Sequence, residues 1–265
     1  MSTGRFVWHD LITSDAAGAK AFYTELLGWS YTPWTGPEGE AAPPDAPPYD
    51  MVMAAGSQMP QGGIMAAQAG APTHWIGHVS LPGVDEVAAR AVAGGGRIYF
   101  GPNDIPGVGR NVVLGDPAGA AFSVITFAGE GMPAPGPGQP AGSFVWDELT
   151  TTDVEGAKTF YAAVTGWSAE SWDGGDTPYA MFKAGDDNAG GLMARPDGMQ
   201  APPLWLGYVW VADAAATAAR AKELGGAVHA GPFTVPTIGE IAIIGDPQGA
   251  ALGIIQPDPA GMGAS

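Results

Sequence analysis

Two stretches of this chain repeat each other closely enough to fix its organisation. Residues 6–30 and 144–168 align without a gap at an offset of 138, and 14 of the 25 positions are identical. Later segments match at an offset of 130, including the turns that begin at Gly115 and Gly245. A fixed period of self-similarity indicates repeated structural units. The sequence therefore predicts two copies of one domain, over residues 1–127 and 143–265.

The segment between the two copies, residues 128–142, has the composition of a linker. It consists of small residues and prolines apart from Glu130, Met132 and Gln139. Such a segment can bury very little apolar surface, so it predicts a connection between domains.

Each copy shows the same order of predicted elements. In the first copy, a strand over 6–12 precedes a helix that Ser14 or Asp15 would cap and that Gly28 would end. Three short strands then complete a βαβββ unit. A second unit begins at Trp75, and Asp116 starts a type I turn between its last two strands. The predicted fold class is α+β, with four βαβββ units in the chain.

Composition excludes several classes of function. The chain is 46% hydrophobic, so it has enough apolar material for a folded core. Its formal net charge of -17 disfavours binding to nucleic acid or to anionic membrane surfaces. It has no cysteine, which removes disulfides and thiolate chemistry. No signal peptide or membrane-spanning stretch is evident, so we expect a cytoplasmic protein.

One repeated motif carries a family resemblance. The pattern D-x6-FY-x4-GW occurs twice, and each half also has a GDPxGA turn. With four βαβββ units, the chain resembles the vicinal oxygen chelate superfamily of glyoxalase I, extradiol dioxygenases and fosfomycin- and bleomycin-resistance proteins. It is especially similar to two-domain actinobacterial glyoxalase-like proteins. The motif residues are Asp15, Phe22, Tyr23, Gly28 and Trp29, and then Asp153, Phe160, Tyr161, Gly166 and Trp167.

The resemblance implies two tandem half-barrels whose concave faces bind small molecules, commonly beside a divalent metal held by His, Gln and Glu. The carboxylate that these families place in the last strand would stand at Ser123 and Gly253, and their first-strand His or Gln at Trp8 and Trp146. None of these residues replaces the usual ligand. We therefore predict no metal triad and no certain cofactor, although a weakly bound divalent metal stays compatible with the sequence.

Strand alternation selects the side chains that face the concave side. The aliphatic residues of the first strand of each unit face the helices, so the alternate residues face inward. Four of the inward residues are catalytic candidates as acids, bases or hydrogen-bonding groups: Asp10, His78, Glu148 and Tyr208. The ligand-binding candidates are Trp8, Ser123, Trp146 and Trp210.

The pairing of units decides which candidates meet. If neighbouring units pair, Asp10 lies with His78 and Glu148 lies with Tyr208. If outer pairs with outer and inner with inner, His78 lies with Glu148 and Asp10 with Tyr208. Either arrangement places His78 near a carboxylate that would orient it as a base.

Three functions stay open at this level. The chain could be a glyoxalase-like enzyme of lyase, isomerase or hydroxylase type that uses a carboxylate and His78. It could instead be a metal-free binding protein that sequesters an aromatic or cationic metabolite or antibiotic, as bleomycin-resistance proteins do. In the third, one cup is a degenerate partner that stabilises the other. Separately, Asp10, Glu148 and His78 have a structural interpretation as satisfied core groups. We expect a small-molecule ligand, and a monomer with an internal pseudo-dimer or a homodimer.

Overall fold

The computed structural model describes residues 4–36, 47–68, 70–134, 138–175 and 177–258. The described part of the first half contains eight strands and two helices: β1 Phe6–Thr13, α1 Ala16–Leu27, β2 Ser30–Pro33, β3 Tyr49–Met53, β4 Gly62–Ala66, β5 His74–Ser80, α2 Val84–Ala93, β6 Arg97–Ile105, β7 Gly109–Gly115 and β8 Ala121–Phe127. The second half repeats the order: β9 Phe144–Thr151, α3 Val154–Thr165, β10 Ser168–Trp172, β11 Tyr179–Ala184, β12 Asp187–Ala194, β13 Leu204–Trp210, α4 Ala214–Glu223, β14 Ala227–Val235, β15 Gly239–Gly245 and β16 Ala251–Pro257.

Each half forms one eight-stranded mixed sheet. The strand order is β2-β3-β4-β1-β5-β8-β7-β6 in the first sheet and β10-β11-β12-β9-β13-β16-β15-β14 in the second. The two units of a half meet at their first strands, because β1 pairs antiparallel with β5 and β9 with β13. The α+β class and the four βαβββ units are therefore confirmed. Of the two predicted pairings, the structure has the pairing of neighbouring units.

The repeated helix signals act as predicted. Asp15 caps α1 by accepting a hydrogen bond from the backbone of Gly18, and Asp153 caps α3 in the same way from Gly156. Gly28 ends α1 in the left-handed region at φ 68°, which glycine enters without the steric cost that a Cβ brings. Both helices therefore begin at the same spacing along the chain after strands β1 and β9, and both are 12 residues long.

The helices join the two halves. One hydrophobic cluster combines the second unit with the third, and the other combines the first unit with the fourth. Helices α2 and α3 pack beside each other, as do α1 and α4. Each unit thus shares a sheet with one neighbour and a core with another, so the four units form a closed ring of contacts.

The repeated FY and GDPxGA motifs meet across this ring. The Tyr161 hydroxyl, in α3, donates to Asp116 Oδ2 at 3.2 Å and accepts a hydrogen bond from Trp205 Nε1 at 2.7 Å. Its repeat equivalent Tyr23 donates to Asp246 Oδ2 at 3.1 Å. The other oxygen of each aspartate accepts backbone N–H groups of its own turn. The motifs therefore hold the two halves together.

We expect Tyr161→Phe to lower the free energy of unfolding by about 1–3 kcal/mol. The substitution keeps the ring but leaves the buried Trp205 N–H without its acceptor and Asp116 without one donor. Urea denaturation followed by tryptophan fluorescence measures the change. Thr159→Val, which removes an exposed hydroxyl that donates to the Glu155 carbonyl of its own helix, is the control, and an equal loss in both variants would contradict the role of Tyr161.

The predicted linker contacts the first half where it is described. The Gly142 carbonyl accepts hydrogen bonds from Trp29 Nε1 at 2.7 Å and Gln61 Nε2 at 2.9 Å. Residues 135–137 of the linker lie outside the described residues. Within the described ranges, no helix has both the length and the apolar character needed to cross a bilayer.

Candidate functional site

The concave face of the first sheet, here called the first cup, brings together two of the predicted catalytic residues. Trp8 pairs with His78 and Asp10 with Ile76 across β1 and β5, which puts Trp8, Asp10 and His78 on one face. Asp10 Oδ2 lies 3.0 Å from His78 Nε2. Their side chains are 14% and 7% exposed, so the pair is largely removed from water.

A tyrosine that the sequence analysis did not select completes this cluster. Tyr49, on β3, donates from its hydroxyl to Asp10 Oδ1 and accepts a hydrogen bond from Trp8 Nε1 at 2.7 Å. The Tyr49 ring lies against the backbone of Gly63, where any Cβ would collide with it. The signal that could have found it is the recurrence of tyrosine at position 179, at the offset of 130.

Hydrogen bonding fixes which nitrogen of His78 is available. Burial raises the pKa of Asp10, but the His78 charge and hydrogen bonds from His78, Tyr49 and Trp8 outweigh it and hold that pKa below its usual value. An ionised carboxylate only accepts hydrogen bonds, so the proton of neutral His78 lies on Nε2. His78 Nδ1 is buried and has no hydrogen-bond partner among the described residues. Its lone pair is free to accept a proton or a hydrogen bond.

The corresponding face of the second sheet, the second cup, has a different cluster at the same positions. The Tyr208 hydroxyl donates to Glu148 Oε1 at 2.9 Å, and Trp146 Nε1 donates to Tyr179 Oη at 3.0 Å. Tyr179 also hydrogen bonds to Glu148. The Tyr208 ring lies over Gly253, where any Cβ would collide with it.

The two repeat-equivalent carboxyl groups differ in their ionisation. Burial raises the pKa of Glu148, and the hydrogen bonds from Tyr208 and Tyr179 offset this effect only in part. Glu148 therefore favours its neutral form relative to an exposed glutamate, whereas Asp10 favours its charged form. The first cup holds a carboxylate and an imidazole, and the second holds a carboxyl group among phenols.

This difference predicts how Glu148→Gln changes stability with pH. Because the pKa of Glu148 is raised in the folded chain, wild type loses stability as pH rises from the unfolded pKa through the folded pKa. Glutamine does not titrate. We expect the melting temperature of Glu148→Gln relative to wild type to increase between about pH 4 and pH 7.

Thermal unfolding at several pH values measures this difference. Glu170→Gln is the matched control because Glu170 is an exposed glutamate on strand β10 of the same sheet. A difference that stays constant with pH, or that falls as pH rises, would contradict the assignment.

The remaining ligand-binding candidates lie on the concave faces with fewer polar contacts. Ser123 pairs with His78 across β5 and β8, is fully buried, and donates its hydroxyl to the Val112 carbonyl at 3.2 Å. Trp210 stands at the end of β13, half-buried, and pairs with Ile255. Trp8 and Trp146 hydrogen bond within their clusters. That these residues contact a ligand stays a prediction.

The donor set of neither cup fits the divalent metal that the fold family implies. The described residues contain no group of three or more His, Cys, Asp or Glu side chains placed to hold a metal ion. In the first cup, Asp10 Oδ2 and His78 Nε2 already hydrogen bond to each other. Protein metal sites of this kind need three or four such ligands. Among the described residues, neither cup therefore offers the ligand set of a divalent metal site.

Comparison with known proteins gives a consistent picture. The family profile described as Glyoxalase/Bleomycin resistance protein/Dioxygenase superfamily matches residues 5–124. A Mycobacterium tuberculosis protein named "Putative glyoxylase CFP32" is 36% identical over 95% of this chain and 94% of its own length. The "Anthracycline biosynthesis protein DnrV" of Streptomyces peucetius is 31% identical over 96% of this chain and 93% of its own length.

A similar fold occurs in the crystal structure of the Mn(II)-bound glyoxalase from Novosphingobium aromaticivorans. The TM-score is 0.62 at 16% sequence identity, and the match covers 98% of this chain and 89% of that chain. At this level of identity the likeness concerns the fold alone.

Proposed function

Because this chain belongs to the Glyoxalase/Bleomycin resistance protein/Dioxygenase superfamily, we propose that its first cup is the active site of a glyoxalase-like enzyme that transfers a proton within a small carbonyl compound. One observation carries the proposal. His78 Nδ1 is buried without a partner among the described residues, while Asp10 occupies Nε2. A histidine whose second nitrogen is held by a carboxylate is a common general base.

The geometry supports a simple isomerisation. His78 Nδ1 takes a proton from the carbon next to a carbonyl group, and Asp10 stabilises the imidazolium that forms. The C–H electron pair becomes the new C=C bond of an enediolate, and the carbonyl π electrons move to oxygen. His78 then returns the proton to the former carbonyl carbon, the hydroxyl proton of the deprotonated carbon passes to the former carbonyl oxygen, and the carbonyl group has moved by one carbon. No oxidant or reductant is consumed, so we favour isomerase or lyase chemistry over hydroxylation.

Deuterium exchange tests this proposal directly. Proton NMR in D2O would follow loss of the carbon-bound hydrogen signal from two probes, dihydroxyacetone and the hemithioacetal of methylglyoxal with glutathione. We expect exchange by wild type and a loss of about 10²–10⁴-fold in His78→Gln. His74→Gln is the matched control, because the His74 side chain hydrogen bonds to the nearby Pro72 carbonyl and to neither Asp10 nor His78 within the part of the chain that the structure describes.

The outcomes separate the alternatives. No exchange with either probe, or full activity in His78→Gln, would contradict the proposal. Exchange is also expected to persist after treatment with EDTA and removal of the chelate. Loss of activity that Mn(II) restores would assign the chemistry to a metal instead.

A second function has its own support in the second cup. Register places Trp210, Ile255, Ile241 and Phe233 in one row across the concave face, which makes this surface apolar and aromatic. Such surfaces suit flat apolar ligands, and the net charge of -17 attracts cationic ones. A relative of this chain is named for anthracycline biosynthesis. We propose that this cup binds a flat aromatic molecule without reaction.

Fluorescence titration tests the binding function. An anthracycline is expected to quench tryptophan fluorescence saturably, and Trp210→Leu is expected to weaken binding by about tenfold or more, as loss of an aromatic contact does. Trp34→Leu, which removes a tryptophan of the other half, is the control. Absence of saturable quenching would remove this function.

A further inference from the structure

The wall of the first cup contains two asparagines that the proposed mechanism does not use. Asn103, on β6, lies opposite Asn111 on β7, and Asn111 lies opposite Ile125 on β8. Ile125 in turn pairs with Ser80, which is on the same face of β5 as His78. Residues directly opposite each other in a sheet share a face, so both asparagines belong to the concave side.

The neighbouring residues confirm this assignment of faces. Asp104 and Arg110, each adjacent in sequence to one of the asparagines, pair with each other at 2.8 Å. Arg110 also binds Asp85 in the first turn of α2. Since α2 packs on the convex side of the sheet, Asn103 points the opposite way.

Asn103 has an unused hydrogen-bond donor. Its Nδ2 is buried and lacks a hydrogen-bond partner among the described residues. Only four side-chain atoms of the described residues share this state, and two of them, Asn103 Nδ2 and His78 Nδ1, lie on the concave side of the first sheet. A buried amide without a partner is costly. One donor and one acceptor on the same surface indicate a ligand that satisfies both.

The second half shows that the fold does not require these polar groups. At the offset of 130, Phe233 stands where the first half has Asn103, Ile241 where it has Asn111, and Tyr208 where it has His78. The same sheet therefore forms with an apolar wall. The polar wall of the first cup is a feature of that cup alone.

We propose that Asn103 is a ligand-positioning residue of the first cup, whose Nδ2 donates a hydrogen bond to an uncharged carbonyl oxygen of the substrate. The net charge of -17 disfavours an anionic ligand in general. The ligand class is a neutral carbonyl compound whose carbonyl oxygen lies at Asn103 on β6 and whose acidic C–H reaches His78 on β5, across the intervening strands β8 and β7. The placement of the carbonyl oxygen is argued from Asn103 alone, whereas the placement of the C–H group at His78 rests on the proposed function.

Side-chain amide NMR tests the contact without requiring turnover. The chain has only three asparagines, so the Asn103 amide signals can be assigned by their disappearance in Asn103→Asp. We expect them to shift on addition of dihydroxyacetone or 2-hydroxyacetophenone. Glycerol, 1-phenyl-1,2-ethanediol and mandelate, which lack a neutral carbonyl, should leave them in place. Asn188, which binds Lys183 in the other half, is the internal control.

Kinetics provide the second measurement. Asn103→Leu is expected to raise KM for deuterium exchange at least tenfold with a smaller change in kcat, and Asn188→Leu, which removes an asparagine that bonds to Lys183 in the other half, should leave both unchanged. If no carbonyl probe shifts the Asn103 amide, or if KM is unchanged in Asn103→Leu, the inference is overturned. A shift without deuterium exchange would retain Asn103 as a binding residue and remove the proposed catalytic function.

Discussion

Asp10→Asn is expected to reduce deuterium-exchange turnover by about 10³–10⁴-fold while leaving the fold intact. The asparagine amide donates to His78 Nε2, which must then act as the acceptor and lose its proton. The ring proton moves to Nδ1, and that nitrogen can no longer accept one. Substitution of the orienting aspartate in serine proteases produces a loss of about 10⁴-fold by this change of tautomer.

Two measurements make this prediction specific. Nitrogen NMR of labelled histidine should show the His78 proton on Nε2 in wild type and on Nδ1 in Asp10→Asn. Asp50→Asn is the matched control, because Asp50 forms a salt bridge with Lys20 at 2.6 Å. Within the described residues, Asp50 forms no ion pair with His78 and no hydrogen bond with Asp10. Unchanged turnover in Asp10→Asn, or an unchanged tautomer, would contradict the role of Asp10.

The sequence was sufficient to predict which side chains share a face. Strand alternation placed Asp10, His78, Glu148 and Tyr208 inward, and the structure brings them together as two hydrogen-bonded pairs. The identity of the pairs could not be predicted. It depends on backbone hydrogen bonds between strands about 60 residues apart, and no local pattern specifies which first strands become neighbours.

Two kinds of site residue escaped prediction for physical reasons. Tyr49 and Tyr179 look like ordinary residues of half-buried strands, and their role depends on glycines in the next strand that leave room for their rings. Asn103 follows an irregularity in the pairing of β6 with β7, between Phe100 and Asn103. Such a bulge breaks simple alternation, so the face of Asn103 is known only from its partners.

The repeat itself separates structural from functional positions. Residues that are identical in both halves, such as Tyr23 and Tyr161, form the contacts that hold the halves together. Several positions that differ, such as His78 against Tyr208, lie in the cups, although Trp8 and Tyr49 are repeated there as Trp146 and Tyr179. Duplication preserves what the ring of units needs for folding, and it leaves the concave faces free to diverge.

The centre of the interface between the halves contains one pair that differs at equivalent positions. His9 on β1 and Asp147 on β9 are related by the offset of 138. Their atoms Nε2 and Oδ1 lie 2.7 Å apart, with the side chains 2% and 8% exposed. The His9 ring also stacks on Phe144, with centroids 3.8 Å apart. Strand alternation puts both residues on the face opposite Trp8 and Trp146, but no local pattern shows that they meet there.

We expect Asp147→Leu and His9→Phe each to lower the free energy of unfolding by about 3–5 kcal/mol, because each leaves a buried polar partner unpaired. The double variant His9→Phe with Asp147→Leu should recover much of that loss, since apolar side chains of similar volume can replace a buried pair at little cost. Urea denaturation of the four proteins measures both effects as a double-mutant cycle. Single variants within about 1 kcal/mol of wild type, or a double variant whose loss equals the sum of the two single losses, would show that the pair does not couple the halves.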